Sequence, residues 1–220
     1  MYRQNPPYLE HRTKGSDSIE NGDSAMPAWI TIYAVVLAWS GFNPKDYFTW
    51  ILEVAPAIIG LVALAATYNS FRLTKLVYIL ILVHCIILMV GGHYTYAEVP
   101  LFDGLFGSTR NNYDKLGHFA QGFVPAILAR EIILRKELIK GAAWQFFFIV
   151  CFCLALSAFY ELIEWWVAIA SGTGADAFLG TQGYTWDTQS DMALALTGSI
   201  IALVTLKKLH DSQLSRLDIT

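Results

Sequence analysis

Long apolar runs separated by short polar connections dominate this chain. Six such runs stand out, over residues 27–42, 48–68, 73–94, 115–134, 143–170 and 191–209. A stretch of about 20 predominantly apolar residues suits a membrane-spanning helix, because roughly 30 Å of hydrocarbon must be crossed at 1.5 Å per residue. The runs are continuously apolar rather than alternating, which excludes β-barrel spans. The pattern therefore predicts an all-α fold, a polytopic membrane bundle of six transmembrane helices over 26–210. A polar tail over 1–25, rich in Ser, Asp, Gly and Pro, is expected to be disordered. A C-terminal tail is expected over 211–220.

Loop charges orient this bundle. Arg3, Arg12, Lys14, Arg72, Lys75, Arg130, Arg135, Lys136, Lys140, Lys207, Lys208 and Arg216 fall on one side, against Lys45, Arg110 and Lys115 on the other. Lys and Arg concentrate on the cytoplasmic side, so both termini are expected there. The first apolar run begins only near Met26, so no cleavable signal peptide is expected, and the first helix would serve as its own insertion signal. The 55% hydrophobic and 15% charged composition agrees with a bilayer environment. A net charge of -3 argues against a basic nucleic-acid binder. Membrane lipids are the expected partners, and no nucleic acid.

Cys85, Cys151 and Cys153 lie in apolar runs and are expected to pack rather than to form disulfides. Trp29, Trp50, Trp165, Trp166 and Trp186 fall near the expected interfaces, as an anchoring belt. His84, alone in the third run, reads as a packing residue. Pro-Ala-Ile recurs at 56–58 and 125–127; common composition accounts for it.

Polar residues within the runs change the picture. Asp114 with His118, Glu161 with Glu164, and Asp187 with Asp191 are spaced three or four apart, so each pair shares a helix face. The assigned orientation puts all three pairs, with Glu53 and His93, in the outer half, whereas the inner half is expected to hold almost no acid. An ionisable group inside a membrane helix costs about 2.5–3.5 kcal/mol on insertion scales. Several at one depth are tolerable when they face one another, a cation or water. An outward-facing His/carboxylate pocket follows. Each residue also has a structural reading: Asp114, Asp187 or Asp191 as helix caps, His118 and Glu161 as a buried pair, Glu164 snorkelling to the interface.

Imidazole and carboxylates suit Zn²⁺, Mn²⁺ or Fe, and a catalytic zinc takes about three protein ligands and an open water position. His118, Glu161 and Asp191 are the candidate metal ligands. Glu164 and Asp187 are the candidate catalytic proton acceptors. Asp114, Gln121, Gln182 and Trp186 are candidate binding residues. The 5–6 loop, with Gly172, Gly174, Gly180 and Gly183, either turns the chain or brings backbone N–H groups to a ligand. The sequence contains no P-loop, no His-Glu-x-x-His pair and no Gly-x-Ser-x-Gly elbow. Three functions remain open: a metal-dependent enzyme acting on lipid head groups or lipid-linked envelope intermediates, a non-catalytic lipid-binding or scaffolding protein, and a proton-coupled transporter. The last would need a polar track through the inner half, which these acids do not provide.

Three motifs together, Asp114-Lys115-Leu116-Gly117-His118-Phe119, Tyr160-Glu161-Leu162-Ile163-Glu164-Trp165-Trp166 and Gly180-Thr181-Gln182-Gly183-Tyr184-Thr185-Trp186-Asp187-Thr188-Gln189-Ser190-Asp191-Met192, resemble the bacterial inner-membrane YjdF family. The resemblance implies a small multi-pass protein of the bacterial inner membrane and supplies no activity. A more distant similarity, over 114–203, is to VanZ-like proteins associated with glycopeptide (teicoplanin) resistance. It rests on Asp114-Lys115-x-x-His118-Phe119, Glu161, Asp187 with Asp191, and Gly198; Glu164 and Trp186 depart from that pattern.

Overall fold

The computed structural model describes residues 8–96, 98–100, 111–171 and 185–217, with the backbone alone for 8–24. It is all-α, with no strand among the described residues. The helices are α1 (Tyr8–Gly41), α2 (Tyr47–Thr67), α3 (Lys75–Tyr94), α4 (Tyr113–Arg135), α5 (Ala142–Ser171), α6 (Asp187–Thr205) and α7 (Lys207–Leu217). The expected runs match α2 to α5 within about two residues, the usual uncertainty of a helix end. The first helix runs back to Tyr8, into the segment that composition alone marks as a polar tail. The last run is divided: α6 ends at Thr205, and α7 leaves it at 62°.

Helices α2, α3 and α5 are long and apolar enough to cross a bilayer, and the bent α6–α7 pair makes a fourth candidate. The apolar part of α1, Ala25–Gly41, is shorter. Helix α4 has 23 residues, about 34 Å of helix, but carries Asp114, Lys115, His118, Gln121, Arg130 and Glu131. Its mean hydropathy is therefore low despite a sufficient length.

Packing explains how α4 tolerates those residues. It sits at the centre, against α3, α5 and, most extensively, α6. Glu53, His118, Glu131, Glu161, Asp187, Asp191 and His210 are all buried, whereas Ile58, Ile59, Val62, Phe147, Phe152 and Val204 are exposed. That distribution suits a hydrocarbon solvent, where apolar side chains cost nothing outside and ionisable groups must find partners inside.

Glycine sets the α4–α6 distance. A Cβ on Gly122 would lie 1.8 Å from the Ala195 carbonyl oxygen, and one on Gly198 would lie 2.3 Å from that of Phe119. Backbone meets backbone at both points, the close approach that small residues permit between membrane helices. Further along the bundle, Val77 of α3, Ile127 of α4, Ile149 and Cys153 of α5, and Ala202 and Leu203 of α6 form an apolar core layer.

Local signals begin and end the helices. The Thr49 N–H donates to Asp46 Oδ2 at 2.6 Å, capping α2. Thr74 caps α3, accepting from the Val77 N–H. At the other end of α3, Thr95 and Tyr96 both adopt left-handed backbone (φ 57° and 56°), and the Tyr96 N–H bonds the Gly91 carbonyl at 2.8 Å. This turn folds the Tyr96 ring back over Gly91, where a Cβ would lie 2.3 Å from it.

Cys85 and Cys153 are buried, as expected for packing residues, but Cys151 is exposed; all three are free thiols. The tryptophans divide similarly. Trp165, Trp166 and Trp186 are exposed, consistent with a belt, whereas Trp29 is buried, stacks on Tyr33 and donates its Nε1–H to the Tyr78 carbonyl at 2.8 Å.

Gly122→Ala should separate α4 from α6 and lower stability by about 1–3 kcal/mol, the usual cost of overpacking. Gly60→Ala is the control, because nothing lies within 4 Å of a Cβ there. Thermal unfolding in detergent should show a large fall in midpoint for the first and none for the second. Equal behaviour would disprove the close-contact account.

Candidate functional site

His118 lies one turn into α4 from Asp114, and the bundle brings two further helices to it. The glycine contacts draw α6 against α4, so Asp191, one turn into α6, faces the imidazole. Glu161 arrives from α5. His118 Nε2 is 3.3 Å from Asp114 Oδ1 and 3.8 Å from Asp191 Oδ2. His118 Nδ1 is 3.2 Å from Gln121 Oε1 and 3.9 Å from Glu161 Oε1. With the Gln121 amide oriented this way, its oxygen accepts from Nδ1–H, and a protonated Nε2 donates toward Asp114.

Ligand-type atoms of Asp114, His118 and Asp191 all lie within 4.8 Å of one another, and so do those of His118, Glu161 and Glu164. The two sets occupy opposite sides of one ring. The expected metal ligands His118, Glu161 and Asp191 are therefore divided: Asp191 shares the Nε2 side with Asp114, and Glu161 shares the Nδ1 side with Glu164. Glu161 Oε1 and Asp191 Oδ1 are buried with no hydrogen-bond partner among the described residues. A buried charged oxygen is costly unless it is paired, so a cation, a proton or a further donor would gain most at these two atoms.

A cavity of about 240 Å³ adjoins this ring. Asp114, His118, Gln121 and Glu164 line it, together with Glu53, His84, Tyr96 and Tyr160. Tyr160 OH donates to Glu53 Oε2 at 3.0 Å, tying α5 to α2 across the opening. Gly117 lets the Tyr96 ring approach to 3.1 Å from where a Cβ would sit. Pro56 and Pro125, the repeated Pro-Ala-Ile positions, both border the cavity. A proline has no N–H to give the carbonyl four residues earlier, so the helical ladder is interrupted at both walls.

Most of the residues singled out from the sequence converge. Asp187 is buried in the first turn of α6, one turn before Asp191. Trp186 is 65% exposed and lies away from the cavity lining. Gln182 and the loop glycines fall outside the described residues. The capping alternatives do not account for the acids: the cap positions of α4 and α6 are Asn112 and Trp186, neither with a side-chain cap bond.

Sequence reasoning missed Tyr96 and Tyr160, aromatic residues that no spacing rule distinguishes from packing. It also missed Glu131, against the expectation that the inner half is nearly free of acid. Glu131 is completely buried at the opposite end of α4. It accepts from the Thr74 N–H at 3.0 Å, Thr74 Oγ1 at 2.7 Å, Arg135 Nη1 at 2.9 Å and His210 Nε2 at 3.1 Å. Arg130 Nη1 donates to His210 Nδ1 at 2.9 Å, which places the imidazole hydrogen on Nε2. The available signal was the Glu131–Arg135 spacing of four.

An all-α bundle with apolar faces outward and an ionisable pocket inside is a multi-pass membrane protein. The chain belongs to the family described as predicted membrane protein (DUF2238), whose match covers residues 25–212. It is 51% identical over 185 residues to the inner membrane protein YjdF of Escherichia coli (strain K12), covering 83% of this chain and 88% of that protein. The expected resemblance to the YjdF family and the inner-membrane location are thus borne out, whereas no match supports the more distant VanZ-like similarity. No solved structure matches.

Glu131→Ala should cost about 3–5 kcal/mol, because it leaves buried donors on Thr74, Arg135 and His210 unpaired. Asp211→Ala, which removes a half-exposed partner of Arg130, should cost no more than about 1 kcal/mol. Thermal midpoints in detergent give the comparison, and equal losses would refute the network's structural weight.

Proposed function

We propose that the cavity beside His118 is a divalent-cation site serving chemistry on a lipid head group or a lipid-linked envelope intermediate. One observation carries this reading. Asp114, His118 Nε2 and Asp191 bring three ligand-type atoms within 4.8 Å of one another, with Asp191 Oδ1 buried and without a hydrogen-bond partner among the described residues. Imidazole and carboxylates are the donors that Zn²⁺ and similar ions take. Gln121, bonded to His118 Nδ1, would fix the ring's orientation, as a partner on the other nitrogen of a metal-bound histidine does. When bound, such an ion supplies a water nucleophile near neutral pH or polarises a phosphoryl oxygen. Glu161 and Glu164 stand across the ring as proton acceptors, and Glu53 with Tyr160 shapes the entrance.

This reading includes six crossings with both termini cytoplasmic, as the loop charges indicate, so that the cavity opens at the outer surface. The apolar layer containing Val77, Ile127, Ile149 and Leu203 lies between the His118 cluster and the Glu131 network. That layer favours a one-sided pocket over a transporter's continuous polar path.

Elemental analysis of protein purified without chelator tests the metal. Stoichiometric divalent metal is expected, and loss of it in His118→Ala and Asp191→Asn. Metal-free wild-type protein with an intact fold would end the proposal. Lipid profiling of cells carrying these variants separates enzyme from scaffold, since a scaffold predicts altered stability and an unchanged profile. Tags at the two termini should both be protected from labelling in intact cells; outward exposure of either would overturn the orientation.

A further inference from the structure

The cavity beside His118 is longer than the polar cluster that gives it its chemistry. Asp114 and Pro125, eleven residues apart on α4, both line it, so it follows about 16 Å of that helix at 1.5 Å per residue. That is roughly half of a 30 Å hydrocarbon core. Its character changes along the way. Asp114, His118, Gln121 and Glu164 line one end; Pro56, Pro125, Leu156 and Phe159, with His84 beside them, line the other. The walls differ too. Helix α2 packs on α3, and α5 on α4 and α6, so α2 and α5 face each other across the cavity without extended packing. Both helices are described along their whole length. Tyr160 and Glu53 bridge them near the polar end through their hydrogen bond. Phe159 marks the mouth: it lines the cavity and is also 51% exposed. Phe152 and Trp166, two helical turns to either side of it on the same face, are exposed as well. Phe159 sits near the middle of the 30-residue α5, the part of a crossing helix that hydrocarbon surrounds.

We infer that this cavity takes a membrane lipid sideways, between α2 and α5, with the lipid's polar group reaching His118 and part of one hydrocarbon chain lying along Pro56, Pro125, Leu156 and Phe159. The position of the mouth decides the occupant. At mid-helix the surroundings are hydrocarbon, and no water is there to carry a soluble molecule to the opening. A chain already dissolved in the bilayer reaches the apolar lining without first losing a hydration shell. A wholly apolar molecule would bring nothing polar to His118 and its carboxylates. A wholly polar one would leave the end lined by proline, leucine and phenylalanine unfilled. An amphiphile matches both ends of the one cavity, apolar walls fixing the body and a few polar groups fixing the head. This inference rests on the lipid half of the proposed function, to which it adds the route and the chain subsite, and it requires no bound ion.

Photolabelling of the full-length protein in phosphatidylglycerol bilayers tests the route. The probe is a phosphatidylethanolamine with a diazirine midway along one acyl chain, and labelled positions are read by peptide mass spectrometry. Helix α4 is central, so label at Pro125 requires a chain inside the cavity. Ile59, 67% exposed and outside the lining, reports lipid at the surface. Label is expected at both positions. Label at Ile59 with none at Pro125 would overturn the inference in the wild-type protein, with no variant needed. Leu156→Trp fills the apolar end and should lower label at Pro125 by about tenfold, with Ile59 unchanged; no selective loss would count against the chain subsite and overturn it. His118→Ala should also lower label at Pro125, because the polar end then retains the head group less well. Unchanged label there would mark a chain unconnected with the site and overturn the inference as well. Metal content of the same preparation separates the two proposals. Metal-loaded protein unlabelled at Pro125 rejects the lateral lipid alone, and metal-free protein labelled there rejects the ion alone.

Discussion

An imidazole held among carboxylates within apolar helices is a demanding arrangement, and the remainder of the bundle is arranged around it. His118 has Asp114 and Asp191 near one nitrogen and Glu161 and Gln121 near the other. Each buried carboxylate must be matched by a proton, a cation or a donor, because desolvation of an isolated charge costs several kcal/mol. Among the described residues, Glu161 Oε1 and Asp191 Oδ1 have no hydrogen-bond partner beside this one imidazole. Such oxygens favour positive charge close by.

That geometry depends on how closely α4 and α6 approach. The contacts at Gly122 and Gly198 leave no room for a methyl group on either helix. Widening the gap would carry Asp191 away from His118 and remove one side of the cluster. Tyr96 works in a similar way across α3 and α4, with Gly91 and Gly117 making space for its ring. Small residues thus convert helix packing into the placement of chemistry-bearing groups.

Helix α4 joins two polar clusters of different character. At its N-terminal end Asp114, Asp191 and Glu161 gather around one imidazole. At its C-terminal end Glu131 is surrounded by donors from Thr74, Arg135 and His210. The second network is saturated and holds α7 against α3 and α4. A fully satisfied buried network rigidifies the elements it joins.

Helix positions, the membrane environment and the grouping of Asp114, His118, Glu161 and Asp191 at one end of the bundle were legible in the sequence, because hydropathy and the 3.6-residue repeat are local properties. Spacing of three or four residues was enough to pair acids on one face. Local pattern does not reveal which nitrogen of His118 meets which carboxylate, nor that Asp114 rather than Glu161 accompanies Asp191. Those relations join helices separated by tens of residues and depend on interhelical distance and rotation. Glu131 and His210 are 79 residues apart, and the turn at Leu206 that lets them meet interrupts what reads as one apolar run. Composition chose the solvent and the elements; packing between distant segments decided which buried charges are neutralised and which remain available.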